Sequence, residues 1–189
     1  INSTFGDYLA NGTLTINGSG STCYLSNDFN DSNYLYKQLT NDELNKIKAI
    51  DTTYTWFIRV YNENAGVGGI FSTRMNGGYV YMIRSNGTQL QIHTSGGRDC
   101  GSDFLLNVDR VYKVIINGSS FKAKNLDTNV VYEFTYSTTR SMGTKMTTFN
   151  AGFNGESKLD RFYGMAGIAR ATTDAEDTAI KNILMNQSL

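Results

Sequence analysis

Proline is absent from this chain, histidine occurs once and cysteine twice. Without proline there is no polyproline segment and no proline-rich spacer. Two cysteines, Cys23 and Cys100, cannot make a disulfide-dense scaffold, and nothing near either favours a metal site; one bridge or two buried thiols both remain open. Charge of either sign is not in excess: 17 basic and 17 acidic residues cancel. A basic stripe for nucleic acid and a polybasic membrane patch are therefore not expected. No apolar run has the length of a membrane span. The chain starts without methionine or leader, so it is expected to be a mature or excised part of a larger multidomain or multimeric protein.

Glycine and asparagine are plentiful. Asn-Gly recurs at Asn11, Asn17, Asn76, Asn86, Asn117 and Asn154. Short runs punctuated this often predict an antiparallel sandwich or barrel. A chain of 189 residues suits a single domain, 1–189, with a real core. Asn11, Asn86 and Asn117 also fit the glycosylation pattern, which turn chemistry alone accounts for.

The stretch from Thr53 to Thr94 organises the rest. Tyr54–Tyr61 reads as a strand with Tyr54, Trp56, Ile58 and Val60 on one face. Thr55, Phe57, Arg59 and Tyr61 occupy the other. Gly78–Arg84 and Gln89–Thr94 flank Asn86-Gly87, a strong hairpin signal. Counting outward from that turn pairs Ile83 with Leu90. It also puts Tyr79, Tyr81, Ile83, Leu90 and Ile92 on a core face, and Val80, Met82, Arg84, Gln89, Gln91 and His93 opposite. A second hairpin around Asn117-Gly118 pairs Val114 with Phe121 and Tyr112 with Ala123, with Lys113 facing Lys122 and Val111 facing Lys124.

Elsewhere, Thr13–Ile16 and Cys23–Leu25 read as short strands, and 27–33 as a polar loop. Thr40-Asn-Asp-Glu43 is a capping box opening a helix over 41–50. Residues 95–103 read as a glycine-rich loop. Val130–Tyr136 alternates, another strand falls within 145–152, and Arg161–Arg170 is the last. Thr173-Asp-Ala-Glu176 caps a helix over 174–185.

The order of these pieces resembles the concanavalin A-like lectin/glucanase superfamily in its laminin G-like form. Four pieces carry the likeness: Tyr54–Val60, the hairpin Tyr79–His93, the hairpin Val111–Lys124, and Phe162–Arg170 followed by Thr173-Asp-Ala-Glu176. The resemblance implies an all-β, antiparallel two-sheet jelly-roll sandwich of about a dozen strands, with one or two short helices and the first and last strands adjacent. Its members are commonly glycan-binding modules, adhesive domains or glycan hydrolases, and fold alone does not choose.

For hydrolysis, two carboxylates must flank the scissile bond. The resemblance implies Glu-x-Asp-x-Glu or Glu-x-Asp-x-x-Glu on one strand, and the five glutamates (43, 63, 133, 156 and 176) form neither pattern. Calcium is unsupported by a motif: Asp28–Asn33 starts like a calcium loop, but Asn33 stands where glycine belongs and Leu39 where glutamate belongs. No cofactor is expected. The leading reading is a non-catalytic carbohydrate-binding adhesion module of a bacterial surface or bacteriophage virion protein, extracellular, with a cell-surface glycan as partner. A structural or protein-interaction domain and an atypical hydrolase are the alternatives. The expected site is the face opposite the core: Phe57, Arg59, Tyr61, Met82, Arg84, Gln91 and His93, with Arg74 and Arg98 on bordering loops. These offer aromatic stacking and hydroxyl-binding donors and acceptors. Trp56 is expected in the core.

Overall fold

A computed structural model of the chain describes residues 9–11, 15–26, 34–38, 40–42, 53–63, 67–75, 78–93, 97–136, 145–148, 160–168 and 170–186. Strands β1 (Leu9–Asn11), β2 (Thr15–Asn17), β3 (Tyr24–Ser26), β4 (Tyr34–Gln38) and β5 (Thr53–Tyr61) come first. Then follow β6 (Val67–Met75), β7 (Gly78–Asn86), β8 (Gln89–His93), β9 (Gly97–Asp99) and β10 (Arg110–Asn117). The last are β11 (Ser120–Asn125), β12 (Val131–Thr135), β13 (Lys145–Thr148) and β14 (Arg161–Ile168), and helix α1 (Asp174–Asn186) closes the chain. Two antiparallel seven-stranded sheets result: β1-β4-β13-β6-β7-β8-β9, called sheet A, and β12-β11-β10-β5-β14-β3-β2, called sheet B. This is the expected jelly-roll sandwich. The closing strand β14 lies between β5 and β3, so the end of the chain meets its beginning at the third strand rather than the first.

The core is made by the facing sides of the sheets. Tyr54, Trp56, Ile58 and Val60 of β5 join Ile83, Leu90, Ile92, Val114, Ile116 and Phe121 there, and Trp56 is a core residue as expected. Alternation explains this set, because every second side chain of a strand shares one face. Trp56 lies against Phe71, with ring centroids 4.1 Å apart. Its other neighbour is Gly167, directly across in β14. A Cβ at Gly167 would come within 2.0 Å of the indole. Gly167→Ala is therefore expected to cost about 1–3 kcal/mol by overpacking, read by thermal or urea unfolding. Unchanged stability would show that the indole is not held there.

Both Asn-Gly hairpins form, but each turns one residue later than predicted. The two-residue loops are Gly87-Thr88 and Gly118-Ser119, with φ of +58° at each glycine. Glycine supplies the positive φ at the first loop position, and the asparagine stays in the strand. Ile83 thus opposes Ile92, and Leu90 opposes Ser85. Phe121 opposes Ile116, Val114 opposes Ala123, Tyr112 opposes Asn125, Lys113 opposes Lys124, and Lys122 opposes Ile115. A slip of two residues leaves every side chain on its expected face, so the core assignment survives.

Both cysteines are free and buried. Burial, with Asp99 adding to it, pushes the Cys100 thiol up to about 12, so it stays protonated.

Helix α1 starts as its sequence dictates. Thr173 Oγ1 accepts from the Glu176 backbone N–H at 3.3 Å, and the Glu176 carboxylate accepts from the Thr173 N–H at 2.9 Å. Arg170, followed by the Thr173 backbone, holds the Glu176 carboxyl down at about 2. The cap is accordingly intact above the ordinary carboxylate range and is lost as pH falls towards about 2. Ile180 and Leu184 face sheet B and pack with Phe57, Val111, Ala166 and Ile168. Asp177 falls on the same stripe and is buried. Its carboxylate takes both oxygens to Lys113 Nζ at 2.8 Å, and Thr172 Oγ1 donates to it at 2.7 Å. Lys124 adds a contact at 3.7 Å. The register that brings Lys113 opposite Lys124, rather than Lys122, sets both lysines against acids of the helix. The helix expected over 41–50 is described only at Asn41 and Asp42, which are helical; its remainder and the 27–33 loop lie outside the described residues.

Candidate functional site

The seven residues expected to share one face, and the two arginines expected on its bordering loops, do not come together. Phe57, Arg59 and Tyr61 lie in sheet B, whereas Arg74, Met82, Arg84, Gln91, His93 and Arg98 lie in sheet A. The cause is topological: the chain changes sheet between β5 and β6, so strands close in sequence are not neighbours. Phe57 has no exposed surface and Arg59 only 4%, because α1 covers them. Arg59 instead ties the fold. Its Nε and Nη2 donate to the two Asp109 oxygens at 2.8 and 2.7 Å, and Nη1 donates to the carbonyls of Ser21 and Leu184 at 2.9 and 3.0 Å.

In sheet A, Arg84 Nε donates to Gln91 Oε1 at 2.6 Å, and Gln91 Nε2 donates to Asp99 Oδ1 at 2.7 Å. Both Arg84 and Gln91 are buried. Gly97 leaves the space that the Gln91 amide occupies. His93 is half-buried, paired with Met82 and Gly97. Arg98 is exposed on β9, not on a loop, and its register with Ile92 puts it on the opposite side of the sheet from Gln91. Arg74 likewise sits in a strand, opposite Tyr79.

Tyr61 is different, because β5 runs out beyond the end of α1. Arg161 of β14 sits directly across from it. The Arg161 guanidinium lies 4.7 Å from the Tyr61 ring centroid and 5.2 Å from that of Tyr24. A β-bulge at Tyr163 adds a third ring, edge-on to Tyr24 at 5.7 Å, with Arg59 4.3 Å over it. Tyr61, Tyr24 and Arg161 are half-buried. No carboxylate pairs with Arg161 among the described residues, and its hydrogen bond with Tyr163 leads in raising its pKa. The acids stand at the border. The Tyr61 hydroxyl donates to Glu63, whose carboxylate raises the phenol pKa and keeps it neutral. Asp160 accepts from the Glu63 backbone N–H at 2.6 Å. Aromatic rings, a guanidinium with unfilled donors and two acids are the groups that hold a polyhydroxylated ligand. Sequence reasoning reached only Tyr61. Arg161, Tyr163 and Tyr24 alternate correctly in their own strands, but nothing in the sequence says that β3, β14 and β5 are neighbours.

By sequence, no family model and no curated protein matches the chain. By structure it is similar to the binding domain of botulinum neurotoxin DC in complex with SialylT, at 10% identity and TM-score 0.60, covering 94% of this chain and 46% of that one. A mutant of Trypanosoma rangeli sialidase displaying trans-sialidase activity gives 8% and 0.63, covering 95% and 30%. The heptameric SAP-like pentraxin of Limulus polyphemus gives 12% and 0.50, covering 69% and 70%. The fold is a concanavalin A-like jelly roll. This chain spans about half the length of the neurotoxin binding domains it matches.

Within the concanavalin A-like sandwich the described glutamates have local employment. Glu176 caps α1, Glu133 pairs with Lys122 at 3.1 Å across β11 and β12, and Glu63 holds the Tyr61 hydroxyl. Glu43 and Glu156 lie outside the described residues, as does the calcium-like stretch at 28–33. Among the described residues, no three His, Cys, Asp or Glu side chains gather as a metal site.

Proposed function

We propose that this chain is one non-catalytic carbohydrate-binding domain whose site is the Tyr24–Arg161–Tyr61 patch on sheet B. The observation that carries this reading is the half-exposed guanidinium clamped between two tyrosine rings, with no carboxylate partner among the described residues. Clamping removes the entropy that a free arginine loses on binding, so its remaining N–H groups are ready for sugar hydroxyls or an acidic sugar's carboxylate. Glu63 and Asp160 favour hydroxyl donors at the rim. The similar neurotoxin structures are a receptor-binding domain and a binding domain seen with SialylT, which agrees with a surface glycan as partner. The parent is read as a larger bacterial surface or bacteriophage virion protein that works outside the cell.

One open patch gives weak affinity for a single sugar, on the order of millimolar, so adhesion relies on several copies. A glycan array followed by calorimetry on its best hit tests the site. Arg161→Gln and Tyr24→Ala are expected to weaken binding by about tenfold or more, as loss of a charge-assisted hydrogen bond would, with melting temperature nearly unchanged. If both variants bind a verified glycan as the parent does, the patch is not the site. Release of reducing sugar from the same glycan would overturn the non-catalytic reading.

A further inference from the structure

We infer a second ligand site at the other end of α1, a polar cavity built to take one neutral sugar residue. The cavity, of about 360 Å³, lies between the first turns of the helix and the turn joining β11 to β12. That is the small end of the usual range for ligand pockets, room for a single ring. It stands apart from the tyrosine patch. Its lining runs along the helix from Asp174 to Asn182 and shares no residue with the patch, so either site can fail alone.

The lining decides the ligand class. Two lysines, Lys124 and Lys181, face two aspartates, Asp174 and Asp177, and the charges cancel. Each ammonium already has its counter-ion: Lys124 meets Asp174 at 3.2 Å, and Lys181 meets Asp127. A charged ligand would have to break such a pair to gain one, so net attraction for anions or cations is small. Hydroxyl groups, which donate and accept, match what is left. Asp174 is 94% exposed. The side chains of Asn129 and Asn182 line the cavity, are exposed to solvent, and make no hydrogen bond among the described residues, so a ligand can take them from water at little cost.

Asn129 supplies a further pointer. It is the lone non-glycine residue of the described chain in the left-handed region, at φ 58°. The turn that holds it is fixed by Asn129 N–H donating to Asn125 O at 2.9 Å and by Asn125 N–H donating to Val130 O at 3.0 Å. Glycine would meet the backbone requirement with less strain. Asparagine meets it while presenting an amide to the cavity.

The test is a titration of the isotopically labelled chain with D-glucose, D-galactose and D-mannose, followed by backbone amide NMR. At least one neutral sugar is expected to shift residues 126–130 and 174–182 together, while D-glucuronate and D-glucosamine bind there more weakly. Asn129→Gly with Asn182→Ala keeps the left-handed turn and removes both amides. It is expected to weaken binding at the cavity roughly tenfold, leaving signals of Tyr61, Glu63 and Arg161 unaffected. No shift at the cavity with any of the three neutral sugars, tighter binding of glucuronate or glucosamine, or unchanged affinity in the double variant would each overturn this site. Shifts confined to the patch would do so while leaving the glycan-binding reading intact.

Discussion

Asp177→Ala is expected to destabilise the fold by about 3–5 kcal/mol, because it leaves Lys113 charged and buried without a counter-ion. The two side chains keep only 6% and 5% of their surface, so solvent cannot take over the role of the missing partner. Lys124, opposite Lys113 in the hairpin register, then adds like-charge repulsion. Lys113→Met should do less harm, since Asp177 retains Thr172 and Lys124. The double change Lys113→Met with Asp177→Leu is expected to recover most of the loss, as apolar replacements of buried pairs often do. Urea unfolding of the three variants checks the order. A loss under 1 kcal/mol for Asp177→Ala would mean that the helix end is not docked as described.

Arg59→Ala should cost about 3 kcal/mol or more, and Arg59→Lys a large part of that. Alanine forfeits a bidentate carboxylate pair and two hydrogen bonds to backbone carbonyls, each made by a charged donor that is 4% exposed. Lysine keeps the charge but cannot reach Asp109, Ser21 and Leu184 with one fork. Asp109 is 41% exposed and can be rehydrated, which limits the damage on its side. Thermal unfolding at matched pH measures the effect. If Arg59→Ala melts with the parent, the guanidinium is a surface group after all, as the alternation of β5 alone suggested.

That contrast shows where the sequence was legible. Period-two alternation put Trp56 and Val60 inward and Phe57 and Arg59 outward, and the sides are right. Whether an outward face meets water is not a property of the strand. It depends on α1, more than 100 positions downstream, and the sequence offers no term linking Ile180 to Phe57. Hairpins were visible because Asn-Gly is local chemistry, yet the register slipped, since glycine alone takes the positive φ. The β6 strand was missed because Gly68 and Gly69 interrupt its pattern, and β9 because Gly97 reads as loop. The tyrosine patch depends on three strand neighbourships and was legible only at Tyr61.

The place of β14 between β3 and β5 also sets a schedule for synthesis. Until the ribosome has released residues 161–168, sheet B exists only as two unconnected halves, and one long margin of β5 has bare N–H and C=O groups. Such a margin is a template for any extended chain, including the same segment of a neighbouring nascent copy. A chain that stops short of residue 161 therefore carries an open half-sheet, and one that stops before 174 leaves Phe57 and Lys113 without their cover. Crowded polysomes making this protein are most exposed to self-association in the interval just before the last strand emerges.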